Sequence, residues 1–557
     1  MSEAYRKLCE NLPVRRAPTG AVAFPTEPKR VKGWIEALPR ANQAATFRQL
    51  SEGLDTLVEV RLEGSQRLAI LELLRPTLLD ALSALDQQAQ GGTIPLPPAK
   101  QRAIEQLQAF ERQLALQYRL AAAELCAPNG SLPFLRGGTV AQAIERATYH
   151  YARCLMHAYF LYQEPEPGLW SAMHALYGFA RSHKLEDKAI EEPTEHGSVS
   201  TDQIYSLTLL IALSNPFRFS QKEQADLWVL CRDLAPHLGL HPVRHSEDSF
   251  AIPLDHDEGP GYIPEERAAG EGNLLWLDLE ALKRAIEAPL ATTTSGPLQV
   301  SFKQGRPVNT TAELLRRLRG GWGTAASRQA QRLSAGHSLH AVIGLSGVHY
   351  HLAGHTDFDT FLRQVGAADA LSERGRERAS WTQGGIEPGR MPQFRTEVLD
   401  QSLGGYRVHW PKEENVRARV GELIGLAVAD GEDERQWMLG VIRWLRYAND
   451  RSVDAGIELL ARRARPVAIC HIDAQDARHP PRPPLRAVQY EPVRQASPKS
   501  LRFAVASMLD AAHSRIEVVR LADLSDIEND DPLREGLTDV TVLENAGDFL
   551  LIETIRS

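Results

Sequence analysis

The sequence predicts a multidomain α+β protein: an all-helical N-terminal module followed by a small antiparallel β-barrel and a β-rich C-terminal extension. Two patterns carry this reading. Apolar residues recur at helical spacing through the first 240 or so positions, and short alternating runs separated by turn residues begin near His340. Length is the third observation, since 557 residues at about 150 per domain suggest roughly three to four cores.

In the first part, Ile104, Leu107, Leu114 and Tyr118 form one helical stripe, and Ile144, Ala147, Tyr151, Cys154, Ala158 and Tyr162 form another. Thr139-Val-Ala-Gln142, Ser200-Thr-Asp-Gln203 and Ser220-Gln-Lys-Glu223 each set a hydroxyl three residues before Glu or Gln, the pattern of a helix start. Breakers such as Pro95-Leu-Pro97-Pro98, Pro128-Asn-Gly130 and Pro165-Glu-Pro167 separate the helices. Residues 30–240 therefore read as a helical bundle or helical-repeat-like module; residues 169–185 have tetratricopeptide features that do not recur at a fixed period. Residues 241–322, interrupted by Gly259-Pro-Gly261 and Ala268-Ala-Gly-Glu-Gly272, read as a mixed α/β connector with helices over 280–287 and 311–322.

Strand-like runs then cover 340–352, 394–400, 406–410, 420–428, 437–446 and 455–460, a barrel spanning 323–475. An insertion at 356–392 interrupts it and is too long for a hairpin loop. Past the proline-rich 479–484, residues 480–557 give further strand pieces that either extend the barrel or form a second one.

Five scattered cysteines, never spaced as CxxC, argue against a disulfide framework and fit a reducing, cytoplasmic setting. No apolar window is long enough to span a membrane. With 63 basic against 71 acidic residues and a net charge of −8, general nucleic-acid binding is disfavoured, although a few placed arginines suffice for a small anion.

The candidate chemistry centres on Asp400-Gln-Ser402-Leu-Gly-Gly405, between two strand patterns. Asp400 and Ser402, two apart on an extended chain, present their polar groups on one side, and the glycines suit a tight turn with positive φ. Upstream, Arg328-Gln-Ala-Gln-Arg332 precedes a strand pattern; Arg374-Gly-Arg-Glu-Arg378 is a second pair of the same spacing inside the insertion. In Val441-Ile-Arg443-Trp444-Leu-Arg446, strict alternation puts Arg446 on the face of Trp444 and Arg443 on the other.

RxxxR followed by DxSxxG and this strand order resembles the PilZ domain, whose members bind cyclic di-GMP. The resemblance covers about 328–470 and implies a β-barrel of PilZ type. It implies that Arg328 and Arg332 hold phosphates and guanine faces, that Asp400 and Ser402 read a guanine edge, and that Gly405 permits the turn. Arg446 joins them as a further ligand-binding candidate. Arginine forks suit phosphate oxygens and the O6/N7 edge of guanine, and guanidinium planes stack on purines. Arg328/Arg332 is preferred to Arg374/Arg378 because a strand pattern follows it. On this reading the protein is an effector, not an enzyme, with no cofactor beyond its cyclic di-GMP ligand and an unidentified protein partner met through the helical module. Such receptors commonly regulate motility or biofilm formation.

Two alternatives stand beside it. One is an interaction scaffold whose PilZ-like barrel no longer binds ligand. The other is a metal-dependent enzyme built on His337, His340, His349, His351 and His355, where His349 and His351 share a face if the segment is a strand; no third ligand is fixed by spacing, and no metal is expected. The acidic Asp255-His-Asp-Glu258 reads as a loop. No P-loop, dinucleotide fingerprint, HExxH or GxSxG is present, and the EAL tripeptides at Glu36 and Glu280 lack the companion motifs of cyclic-dinucleotide hydrolases.

Overall fold

The computed structural model describes residues 2–16, 24–89, 95–192, 197–245, 250–270, 272–293, 296–302, 307–323, 333–367, 391–428, 436–448, 450–472, 483–493, 500–509, 515–521 and 533–555. The chain forms two compact units, one covering residues up to 327 apart from two short stretches, the other 328–557.

The first unit opens with helices α1 (Glu3–Cys9), α2 (Pro28–Glu36), α3 (Gln43–Glu59), α4 (Gly64–Ala89), α5 (Pro98–Leu125), α6 (Gly137–Phe160) and α7 (Leu169–Ser182). A hairpin of β1 (Ile190–Glu192) and β2 (Gly197–Val199) precedes α8 (Thr201–Leu213) and α9 (Gln221–Leu234). The α5 stripe is buried, and Leu107, Leu114, Ile144 and Ala147 share one core with Leu176 and Phe179 of α7. Ser200 and Gln203 close a reciprocal capping box at 3.2 and 3.1 Å, and α9 begins directly after Ser220. Thr139 is not a cap: α6 starts two residues earlier at Gly137, so its hydroxyl lies inside the first turn.

This core also encloses charge. The His150 ring accepts from Arg75 at Nε2 (2.9 Å) and so donates from Nδ1 to Glu111 (2.6 Å), which fixes the neutral tautomer. Burial lowers the pKa of His150, and the Glu111 carboxyl, though buried, is held low by His150 and His157. Arg67, with no exposed surface, donates to Glu124 at 2.7 and 3.0 Å, to Gln117 at 2.8 Å and to the Leu57 and Val60 carbonyls.

After α9, strands β3 (Gly239–His241), β4 (Phe250–Pro253), β5 (Gly261–Tyr262) and β6 (Leu274–Asp278) form an antiparallel sheet ordered β3-β6-β4-β5, with α10 (Glu265–Gly270) between β5 and β6. Helix α11 (Glu280–Leu290), the hairpin of β7 (Pro297–Val300) and β8 (Val308–Thr311), and α12 (Ala312–Gly321) complete the unit. The acidic loop is structural. Asp257 accepts from the Gly168 and Ser171 amides where α7 begins, and the Glu258 carbonyl accepts from His174 Nε2 at 2.9 Å. Buried Trp322 donates from Nε1 to the Leu210 carbonyl at 3.1 Å, fastening this region to α8.

The second unit contains β9 (Leu333–Ser334), β10 (Ser338–Ile343), α13 (Leu345–Leu352), α14 (Phe358–Gln364), β11 (Phe394–Ser402), β12 (Gly405–Trp410), β13 (Leu423–Val428) and β14 (Met438–Tyr447). It continues with β15 (Val453–His471), β16 (Leu485–Pro492), β17 (Ser500–Ala506), β18 (Ile516–Val519), β19 (Arg534–Asn545) and β20 (Phe549–Ile555). Antiparallel neighbours β12-β11-β10-β13-β14-β15 close through β12–β15 into a six-stranded barrel. Strands β15-β16-β17-β20-β19-β18 close through β15–β18 into a second. One 19-residue strand, β15, serves both: Val453–Ala461 pairs within the first barrel and Ala461–His471 within the second. Full closure leaves neither barrel with a free sheet edge along this ring.

On β17, Phe503 and Val505 enter the second barrel's core while Ala504, on the opposite face, joins Val441 of β14, Val488 of β16 and Val348 of α13 in an apolar seam between the barrels. The expectation of a strand over 340–352 is corrected here. β10 ends at Ile343, Gly344 takes φ 85°, and Leu345–Leu352 is helical. A continuous apolar run fits a buried strand or a buried helix, and a positive-φ glycine separates the two. Part of the expected 356–392 insertion is also ordered: Phe358, Phe361 and Leu362 of α14 pack with Ala468 of β15. Its remainder, 368–390, lies outside the described residues. No helix among the described residues is long and apolar enough to cross a membrane.

Candidate ligand-binding face of the first barrel

Strands β11 and β12 form a hairpin whose register runs Ser402↔Gly405, Gln401↔Tyr406, Asp400↔Arg407 and Val398↔Val408, with Leu399 bulged out. Val398 and Val408 are buried, so the alternate pairs, Asp400 with Arg407 and Ser402 with Gly405, belong to the outer face. Asp400 and Ser402 thus share one side, as their spacing requires.

The glycines of this hairpin serve a different purpose from the positive-φ turn expected of them. Neither Gly404 nor Gly405 has a positive φ. Gly405 is instead constrained by crowding, because a Cβ there would lie 2.0 Å from the Ile457 carbonyl oxygen of β15, whereas Gly404 has no atom within 4 Å of such a position. Gly405 opens β12 and is not one of the two loop residues, Leu403 and Gly404. The Ser402 hydroxyl donates to the Gly405 carbonyl at 3.4 Å.

The face continues across β15 and β14. Asp454 accepts from Arg407 Nη2 at 2.9 Å and pairs with His409 Nδ1 at 2.8 Å. Gly456, opposite Arg407, leaves room for the Trp444 indole; a Cβ on Gly456 would fall 1.8 Å from Trp444 Nε1. Arg446 is paired with Asp454 and is exposed. The placing of Arg443 opposite Trp444 is corrected. A register shift between Ile442 and Trp444 makes Arg443 the extra residue of a bulge, and its Nε meets Glu458 at 2.6 Å, on the β15 face that also carries Gly456. Arg443, Trp444 and Arg446 therefore all lie on the outer face. A bulge has no signature in hydrophobic alternation, and the adjacent Arg443-Trp444 pair was the only trace of it in the sequence.

Both arginine pairs, Arg328/Arg332 and Arg374/Arg378, lie outside the described residues. The chain immediately after Arg332 is described. Strand β9 pairs with β11 in the register Leu333↔Gln401 and Ser334↔Asp400.

The histidines do not converge on a metal. His349 and His351 sit on α13 and not on a strand. His349 is buried against Phe358 and Phe361, its pKa driven down to about 3 by burial and by the Arg486 charge. His351 contacts His355 and Trp437. His337 and His340 flank and enter β10. No group of three ligating side chains is assembled among the described residues.

The model for the middle PilZ domain of the cyclic-di-GMP receptor FimW matches residues 249–385 and 372–466. The chain carries a PilZ domain. The match ends within β15 at residue 466, a few residues past Ala461 where that strand passes from the PilZ barrel to the second barrel, and its two segments overlap between β10 and β11, where the chain has its long insertion. The N-terminal domain model of the same receptor matches residues 29–245, the helical part of the first unit. A curated relative, the cyclic-di-GMP receptor FimW of Pseudomonas aeruginosa, is 28% identical over 491 residues, covering 79% of this chain and 78% of the relative.

Proposed function

We propose that this protein is a cyclic di-GMP receptor that takes its ligand on the outer face of the PilZ barrel. The observation that carries the reading is the hairpin geometry. Asp400 and Ser402 stand together on that face, and β9 brings the chain directly following Arg332 alongside Asp400 and Gln401. This favours Arg328/Arg332 over Arg374/Arg378 as the clasping pair. A carboxylate is the natural acceptor for the N1–H and N2–H donors of guanine, and a guanidinium fork meets a phosphate or a guanine O6/N7 edge through two parallel bonds. Arg446, on the same face, supplies a further cation, and Gly405 holds the hairpin against β15.

The relative and the family models bear the name of a cyclic-di-GMP receptor over both the helical and the barrel parts, which supports the same ligand here. In the fuller reading, ligand binding at the arginine pair is passed to the helical module and there to a protein partner. Titration of the full chain with cyclic di-GMP, with Arg332→Ala and Arg378→Ala beside it, tests this. The first substitution weakens binding by about tenfold or more, since a charge-assisted contact is lost, and the second leaves it unchanged. The opposite ranking moves the site into the insertion.

A further inference from the structure

The bulge on β14 joins the candidate ligand face to the second barrel through a single side chain. Arg443 spends its whole guanidinium on two carboxylates: Nε on Glu458 of β15 at 2.6 Å, and Nη1 and Nη2 on the two oxygens of Glu544 at 2.5 and 2.8 Å. Glu544 belongs to β19, a strand of the second barrel that makes no ladder with the first. Its own backbone register is irregular, shifting between Val542 and Glu544, so the end of β19 is held in part by this side-chain fork.

The other end of the connection is the hairpin. Glu458 pairs with Gly405, which pairs with Ser402, so Ser402, Gly405 and Glu458 form one row across three strands. Two inter-strand steps span about 10 Å, which a two-guanosine ligand clasped at Asp400 and Ser402 readily bridges. A guanidinium fork engaged by a carboxylate has the same geometry as one engaged by a phosphate or a guanine edge, so it serves only one of them at a time.

We propose that Arg443 is a switch residue: the dinucleotide on the PilZ barrel competes with Glu544 for its fork, and ligand binding releases the end of β19 in the second barrel. This rests on the ligand reading above. It assigns the second barrel a role as receiver of the signal, through a side-chain exchange that loosens the end of β19 where it pairs with β20.

Competition fixes the sign of the linkage. Whatever free energy the Arg443–Glu544 contact contributes in the free protein opposes ligand binding and returns as affinity when the contact is removed. The test is calorimetric titration of the full chain with cyclic di-GMP for wild type, Glu544→Gln and Arg443→Lys, together with amide exchange over 541–545. Glu544→Gln tightens binding by about two- to fivefold, the size of a partly exposed ion pair. Arg443→Lys, which keeps the charge and loses the fork, weakens it, and saturating ligand accelerates exchange over 541–545 in wild type. Unaltered affinity in Glu544→Gln with no exchange response in a wild type that does bind overturns the switch alone. Absence of binding by folded wild-type protein overturns the ligand reading itself.

Discussion

Gly405→Ala is the substitution whose cost follows most directly from the coordinates. The added Cβ would sit 2.0 Å from the Ile457 carbonyl oxygen, about 1.4 Å inside ordinary contact, and the obstacle is backbone, so no rotamer change relieves it. Strands β12 and β15 must separate locally, and their six-pair ladder from Gly405↔Glu458 to Trp410↔Val453 is the seam that closes the PilZ barrel. Overpacking of this kind costs about 1–3 kcal/mol, and each ladder bond weakened adds roughly 1 kcal/mol. A total of about 3 kcal/mol lowers the melting temperature of a unit of this size by roughly 6–12 °C. Gly404→Ala, one residue away in open space, is the control and stays within about 0.5 kcal/mol of wild type. The assay is thermal unfolding of both variants, with amide exchange over 400–410 to locate the damage. Equal stability of the two variants refutes the steric account of this glycine and returns it to the turn.

Three other outcomes follow from the same coordinates. Trp444 has room only because residue 456 is glycine, so Gly456→Ala displaces the indole and shifts its fluorescence maximum; an unchanged spectrum contradicts the packing described. His349, neutral in the fold with a pKa near 3, binds no proton between pH 6.5 and 4 while the unfolded chain does. Its contribution is therefore complete above pH 6.5 and lost as pH falls, by roughly 3 kcal/mol at pH 4, and urea midpoints of His349→Leu fall less steeply with acid than those of wild type. Arg67→Leu leaves the Glu124 carboxylate with Arg15 still beside it but strands three other acceptors in the helical core, the Leu57 and Val60 carbonyls and Gln117 Oε1, costing about 3–5 kcal/mol in a helical-ellipticity melt; a near-neutral effect contradicts the buried network.

What the residues disclosed on their own follows from which interactions are local. Helix spacing and the Ser200–Gln203 box were legible because helix contacts recur within four residues. That Asp400 and Ser402 share a side was legible from strand period, but not which side, because the bulge at Leu399 turns Asp400 away from the buried face of Val398. The helix at Leu345–Leu352 was not, since an apolar run serves either element when both its faces are covered. The bulge at Arg443, the clash that makes residue 405 a glycine, and the closure of a second barrel on the far half of β15 all depend on partners distant in the chain, Glu544 lying 101 residues from Arg443. No window of sequence around any of these residues contains its partner.

Recognition at the β11–β12 hairpin is examined most directly by isothermal titration of cyclic di-GMP into the full chain and into an Asp400→Ala, Ser402→Ala double variant. Saturable heat in the wild type that drops at least about tenfold in affinity in the equally folded variant is the predicted result. Identical isotherms for the two proteins, or no heat from either at micromolar concentrations, would contradict it.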